Sequence, residues 1–396
     1  MKKIVIIGGG IAGLSAGWYH KKKGDHVTIL EKSHRPGGWI QSIQEDGFLL
    51  EQGPRGFRPT GTGKRTLALI KELGLEKTLI AADKKARKRY LVINGKLSVV
   101  SPYFLLRQGI IPALLRDACK PVNPLDDETI ADFCYRRFTK KITQRVVDPL
   151  VKGIFGGDIH TLSMRNCFPA LWHREKNGSI IRNLLKSRNQ SSPSLYSFRD
   201  GMETLPKALA ERLQENLLFN VSLIRIEKGG VILADQTLEA DTIIAAVPAY
   251  ALTDKHPFIY QSMTIVNMGW KRDLLSKKGY GCLVPSLEKE AILGMTWDSE
   301  IFPQQNQGEQ TRICVMIQGE AEAEVAIKGV QKYLGIDSLP DKLRVTKAKD
   351  AIPQYLIGHH KHLAYFQKCF HVELIGHNYT GIGINNCIEA GWKSAQ

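Results

Sequence analysis

The sequence predicts an α/β fold built around a Rossmann-like, dinucleotide-binding parallel sheet. Three observations predict it. A strand–glycine loop–helix–strand unit opens the chain, an apolar strand at 241–248 ends in a turn, and a second strand, Gly-rich turn and helix close it. One sheet drawing on the start, middle and end of the chain requires the intervening stretches to form other lobes.

The first unit is the most specific. Ile4 to Ile7 reads as a short buried parallel strand, Gly8-x-Gly10-x-x-Gly13 follows at once, and 12–23 reads as a helix. A second strand, 26–30, ends at Glu31. Gly8 makes the tight turn, Gly10 lets a pyrophosphate approach the backbone, and Gly13 lets helix and strand pack closely. The free N–H groups of the helix start suit phosphate. Glu31 suits a ribose diol and repels a 2′-phosphate. The fingerprint alone leaves NAD and FAD both open.

A second glycine pair, Gly37-Gly38, follows the acidic residue, and then comes Gly53-Pro54-Arg55-Gly56. Such an extension suits two-domain flavoproteins, whose longer cofactor needs loops beyond the first unit. In this reading Gly53 and Gly56 remove side chains from a flavin ring, Pro54 stiffens the loop, and Arg55 supplies charge that favours the reduced, anionic flavin. At the C-terminus the turn 376–383 leads into a helix from about Ile384, whose N-terminus can stabilise negative charge on the cofactor. Asn385 and Asn386 read equally well as capping residues. Further strands are expected at 221–226 and 231–233, and the segment 200–206 leads into an amphipathic helix to about Leu213.

Composition narrows the partners. The 396 residues allow two or three domains and include 55 Lys+Arg against 39 Asp+Glu, a formal net charge of +16. Such an excess suits nucleic acid, an anionic membrane surface or an acidic ligand. No basic helix with base-reading spacing and no zinc or RNA-binding signature supports nucleic acid. The seven cysteines (119, 134, 167, 282, 314, 369, 387) form no C-x-x-C pair, which predicts no disulfide frame and no metal site. The apolar run at the N-terminus is too short for a signal peptide, and nothing approaches the about 18 apolar residues of a membrane span. The expected location is the cytoplasm, free or peripheral on the inner face of the cell membrane. Between 83 and 194 the pattern turns helical and basic: "KKARKR" at 84–89, then an apolar helix broken by Pro112, then aromatics interleaved with Arg136, Arg137, Lys140, Lys141 and Arg145. Those faces fit an interfacial helix or a solvated lid. An exposed loop is expected at 186–194. From about 255 to 368, strands such as 312–318 and one helix, 321–334, suggest a sheet-based lobe.

With these segments in hand, the chain resembles the protoporphyrinogen oxidase family, flavoproteins of haem biosynthesis in the amine-oxidase-like superfamily. "GGGIAGLSA", "PGGWIQS", "GPRGFRPTGTG", "KGIFGGDIHTLSMRNCFPAL", "GYGCLVPS", "WDSEIFP", "IPQYLIGH" and "YTGIGINNCIEAG" carry the resemblance in order, over nearly the whole length. Gln41 stands where relatives often have Arg.

The resemblance implies a p-hydroxybenzoate-hydroxylase-like two-domain flavoprotein. An FAD-binding domain (1–82, 195–254, 369–396) would accompany a helical membrane-binding lobe (83–194) and a mixed-sheet substrate domain (255–368). It implies six-electron oxidation of protoporphyrinogen IX to protoporphyrin IX, with three O2 reduced to H2O2. Expected FAD contacts are Gly8, Gly9, Gly10, Ile11, Ala12, Gly13, Glu31, Lys32, Gly38, Trp39, Gly53, Pro54, Arg55, Gly56, Val221, His377, Ile382, Gly383 and Ile384. Arg89 would bind a propionate, and Leu150, Gly281, Leu283 and Met316 would sandwich the tetrapyrrole, although Leu150, Leu283 and Met316 read alone as core and Arg89 as a solvated basic face. No side chain is expected as a strong base, because the flavin takes hydride from carbon. Partners implied are the porphyrinogen, an anionic membrane surface and ferrochelatase as recipient of product, with the protein a monomer or homodimer. Coproporphyrinogen III, with two more propionates, is the alternative substrate, to which the basic run at 84–89 is suited. Amine oxidation and carotenoid desaturation are more distant readings. A non-catalytic escort protein of the same fold is the alternative outside the enzymes.

Overall fold

The computed structural model describes residues 1–119, 125–175 and 195–396, so the loop expected at 186–194 lies outside the described residues. The chain divides into two compact units: Met1–Ala82 with Pro193–Phe258 and His360–Gln396, and Asp83–Ser192 with Ile259–His359. The described part of the stretch expected as a helical lobe falls in the same compact unit as the sheet-based stretch. The physical reason lies in pairing: the strands Tyr90–Ile93 and Lys96–Val99 complete the sheet of that unit.

The first unit carries a five-stranded, all-parallel sheet ordered Glu373–Leu374, Thr242–Ala245, Lys3–Ile7, His26–Leu30, Leu217–Leu218. Start, middle and end of the chain thus meet in one sheet, as the apolar strands require. Both flanks need helices, because parallel strands bury both faces. The helix Ile11–Lys23 packs on Ile6 and Ile29, joined in the core by Leu205 and Leu209 of Thr204–Arg212 and by Ile384 and Ile388 of the C-terminal helix Ile384–Ser394. The expected strand 221–226 is corrected to Arg225–Glu227. Asn220 adopts φ +58°, and the Val221 N–H donates to Glu31 O, which bends this stretch away from a regular ladder.

The second unit holds a seven-stranded mixed sheet ordered Lys342–Gln354, Ile259–Trp270, Thr311–Gln318, Ile292–Trp297, Gly281–Leu283, Tyr90–Ile93, Lys96–Val99. Only Gly281–Leu283 and Tyr90–Ile93 run parallel. One face forms a core with Tyr90, Cys282, Met295, Val315 and Val266, covered by Ala326 and Val330 of the helix Ala323–Leu334. Near the opposite face the helix Asp148–Phe155 follows a π-helical turn, Thr143–Val147. The apolar stretch after Ser101 breaks at Gly109 (φ +82°), between the helices Pro102–Arg107 and Ile110–Cys119, rather than at Pro112. Pro112 falls in the first turn of the second helix, where an N–H has no intrahelical partner to lose. A helix the periodicity did not predict, His359–Phe370, follows the strand Lys342–Gln354.

Candidate functional site

In the first unit the residues expected around the cofactor form one connected surface. Gly8 adopts φ +108°, and its N–H donates to Leu30 O at 2.7 Å, folding the loop back over the second strand. A Cβ on Gly13 would stand 1.9 Å from Gly8 O, so helix and loop close only around glycine. Gly10 differs: a Cβ there would meet no protein atom within 4 Å. Its missing side chain leaves open space at the start of the helix Ile11–Lys23. The glycine pair lies alongside, because the Gly37 N–H donates to Gly9 O at 2.8 Å and Gly38 packs against the Gly10 Cα. Arg35, which no sequence pattern singles out, pins this loop by donating to Pro36 O, Gly38 O and Ile40 O. Trp39 and Lys32 are exposed beside it.

Glu31 closes the far end. Its Oε2 accepts the Gly9 N–H at 2.7 Å, and its Oε1 accepts the Ser33 N–H and hydroxyl. Each oxygen retains acceptor capacity for a hydroxyl, and Val221 is held against the same residue.

The "GPRG" loop joins the surface through Trp39, and its glycines are set by backbone crowding. A Cβ on Gly53 would sit 2.0 Å from Trp39 O, and one on Gly56 would sit 2.4 Å from Tyr196 O. Both positions admit only glycine because protein backbone crowds them. Phe57 and Tyr196 exchange backbone hydrogen bonds, and Arg55 donates to Gly53 O, so the loop is braced on both sides. Pro54 lies within that braced turn.

The C-terminal turn reaches the same place. Gly376 lies against Ala12, Tyr379 donates its hydroxyl to Val247 O, and Val247 covers Gly8. His377, Ile382 and Gly383 follow in this turn, and Ile384 begins the helix. Asn385 is not a cap: it accepts from Thr66 and donates to Arg58 O, tying this helix to Gly63–Glu72 and to the "GPRG" loop. The helices at Ile11 and Ile384 therefore share one electrostatic property. Each starts at a glycine with no side-chain cap and has no acidic residue in its first turn. Two unneutralised positive helix ends beside an open glycine cradle fit the pyrophosphate and flavin of FAD.

In the second unit the sheet brings four of the five expected substrate residues to one face. Tyr90, Cys282, Met295 and Val315 point into the core, so Arg89, Gly281, Leu283 and Met316 fall on the opposite side by strand alternation. Gly294 pairs with both Leu283 and Met316, and the Leu283 side chain lies over it, with Cδ2 3.0 Å from where a Cβ on Gly294 would stand. Gly281, at φ +135°, would place a Cβ 2.0 Å from Met295 O, so its glycine serves backbone packing. Arg89 is exposed and stacks over Tyr280 at 4.4 Å, whereas Lys88 lies over Tyr90. Leu150 is 47% exposed on the helix Asp148–Phe155, which is clamped to the turn Ser286–Glu288 by Asp148 accepting from the Ser286 N–H and hydroxyl. Burial pushes the Cys282 and Cys387 thiols up to about 12, which excludes either as a thiolate nucleophile at neutral pH. Among the described residues no cluster could hold a metal ion.

Residues 11–396 match the family model of the flavin-containing amine oxidoreductases. Protoporphyrinogen oxidase from Bos taurus is 32% identical, over 100% of this chain and 98% of that protein. Coproporphyrinogen III oxidase from Bacillus subtilis is 24% identical over 98% and 96%. A crystal structure from Exiguobacterium sp. 255-15 superposes with a TM-score of 0.84 at 21% identity, over 100% of this chain and 98% of that one.

Proposed function

The chain belongs to the flavin-containing amine oxidoreductases, in the protoporphyrinogen oxidase family, and we propose that it oxidises protoporphyrinogen IX to protoporphyrin IX at bound FAD. FAD, when bound, supplies the acceptor for hydride from the macrocycle and passes the electrons to O2. What the chain contributes is binding and orientation. The observation that carries the substrate assignment is the sheet face that ends in Arg89 and is lined by Leu283 and Met316, an apolar surface with a cation at its edge. Stacking on Tyr280 restricts the Arg89 guanidinium, which favours a carboxylate partner such as a propionate.

Anaerobic mixing of the FAD-loaded protein with protoporphyrinogen IX tests this. Loss of oxidised-flavin absorbance, then porphyrin fluorescence when air is admitted, is the expected result. Bleaching by coproporphyrinogen III alone would transfer the assignment to that substrate, and bleaching by neither would refute porphyrinogen oxidation.

We also propose that the helical part of the second unit is a membrane-binding surface on an anionic, cytoplasm-facing bilayer. Residues 83–192 hold 21 Lys+Arg against 9 Asp+Glu, most of the chain's basic excess. In the same stretch Tyr103 (68% exposed), Leu106, Ile111 and Leu115 (64%) are presented by two successive short helices, with Arg107, Arg116, Lys140 and Lys141 also exposed. No helix among the described residues is long and apolar enough to cross a membrane. Co-sedimentation with phosphatidylglycerol vesicles should fall in Ile111→Glu/Leu115→Glu, and equal binding by this variant would refute the surface.

A further inference from the structure

Residues 140–155 form one unbroken helical run that changes its winding in the middle. Lys140–Ile142 is α-helical, Thr143–Val147 is a π turn in which the Asp148 N–H reaches five residues back to Thr143 O, and α-helix resumes at Asp148. The second junction stays helical, with Val147 at φ −74°, ψ −49° and Asp148 at φ −52°, ψ −56°. The cause of the π turn is Pro149. Inside an α-helix its ring would meet the carbonyl of Arg145, one turn earlier, and it brings no N–H to the ladder. A wider turn accommodates both defects. Proline and π turns are where helices kink, and π turns recur at functional sites.

The two halves of the run hold different surfaces. Ahead of the joint, Lys141 Nζ donates to Arg107 O at 2.6 Å, and from within it Arg145 donates to Gln108 Oε1 at 3.3 Å. Arg107 and Gln108 end the helix that presents Tyr103 and Leu106 to solvent. Beyond the joint, Asp148 accepts from Ser286, and Lys152 Nζ lies 3.5 Å from Glu290 O. A Cβ on Gly153 would stand 2.5 Å from Leu283 Cδ2, so this half is seated on Gly281–Leu283 and the turn that follows. A proline that only ended a helix would need no such contacts on both sides.

We propose that the π turn is a hinge through which docking of the lipid-facing helices on an anionic bilayer reorients the half that carries Leu150, so that membrane binding raises porphyrinogen oxidation. The inference rests on both readings proposed above. Lys141 and Arg145 carry a displacement of Pro102–Arg107 into the run, and a change of angle at the joint moves Asp148–Phe155 against Leu283. All of these contacts lie within the second unit, so FAD affinity stays the same with and without lipid.

The test measures kcat/KM for protoporphyrinogen IX in the FAD-loaded protein with phosphatidylglycerol vesicles, with phosphatidylcholine vesicles as the control for substrate partitioning. Phosphatidylglycerol is expected to raise the wild-type value about fivefold, the low end of coupling between two sites. Pro149→Ala restores the missing N–H and lets the run wind regularly; it should keep its FAD content and vesicle binding and lose the rise. Gln108→Met, which removes the acceptor of Arg145 and leaves the proline in place, should lose most of the rise as well, and it decides the matter if Pro149→Ala loads FAD poorly. Amide hydrogen exchange at 145–155 should slow on phosphatidylglycerol in wild type and stay unchanged in both variants, which a merely structural proline would not produce. Equal kcat/KM on the two lipids, in wild type that co-sediments with phosphatidylglycerol, would overturn the proposal and leave the membrane reading intact. A full rise in both variants would also overturn it. Wild type that does not co-sediment removes the membrane reading, and wild type that oxidises no porphyrinogen removes the functional one; either result takes the hinge with it.

Discussion

Gly10 and Gly13 belong to one fingerprint, yet the structure predicts opposite consequences for replacing them. Gly10 has φ −73° and ψ 174°, a conformation open to alanine, and its Cβ would touch no protein atom within 4 Å. Replacing glycine by alanine at this N-cap position costs about 0.5–1 kcal/mol, and the loss of chain entropy in the unfolded state returns about 0.4–1 kcal/mol. The apoprotein of Gly10→Ala should therefore melt within about 1–2 °C of wild type. The new methyl fills space that the cofactor uses. At the usual overpacking cost of about 1–3 kcal/mol, FAD affinity falls by about 5- to 150-fold. Gly13→Ala is the reverse case. Its Cβ would lie 1.9 Å from a backbone oxygen that is fixed by the turn at Gly8, so helix and strand must separate. That costs at least about 3 kcal/mol in the apoprotein itself. The assay is thermal melting of both apoproteins with and without FAD, alongside flavin-fluorescence titration for Kd. Wild-type FAD affinity in Gly10→Ala would refute the assignment of the open space to the cofactor. A wild-type melting temperature for Gly13→Ala apoprotein would refute the packing argument.

Three further outcomes follow from the same structure. Arg89→Ala should raise KM for the porphyrinogen with FAD content unchanged, because Arg89 belongs to the second unit and the cofactor surface to the first; steady-state kinetics with unaltered KM would remove it from the site. Asn385→Ala should cost about 1–3 kcal/mol, because the Thr66 hydroxyl, fully buried, loses its acceptor; an unchanged calorimetric melting temperature would refute that role. Burial pushes Cys134, Cys282 and Cys387 up to about 12, whereas Cys369 is exposed, so iodoacetamide at pH 8 should label Cys369 well before those three; mass-spectrometric detection of early adducts on Cys282 or Cys387 would contradict the packing around them.

The elements that sequence determined are those whose causes are local. The strand at Lys3–Ile7, the helix up to Lys23, the strand His26–Leu30 and the helix start at Ile384 each follow from a run of apolar residues bounded by glycines or charge, and each is found where that pattern places it. The family and its cofactor were legible for the same reason, since phosphate binding at a helix N-terminus imposes spacing along the chain. Tertiary structure alone decided what depends on atoms far apart in sequence. Nothing near Gly53 or Gly56 reveals that Trp39 and Tyr196 carbonyls crowd them, and nothing near Asn385 indicates Thr66 and Arg58 as its partners. The residues 90–99 look like the edge of a helical lobe until they pair beside Gly281–Leu283. Gly153 carries the same lesson: its spacing in the sequence is unremarkable, and its meaning is set by a leucine 130 positions later, because steric exclusion acts through space and leaves no periodic trace in the chain.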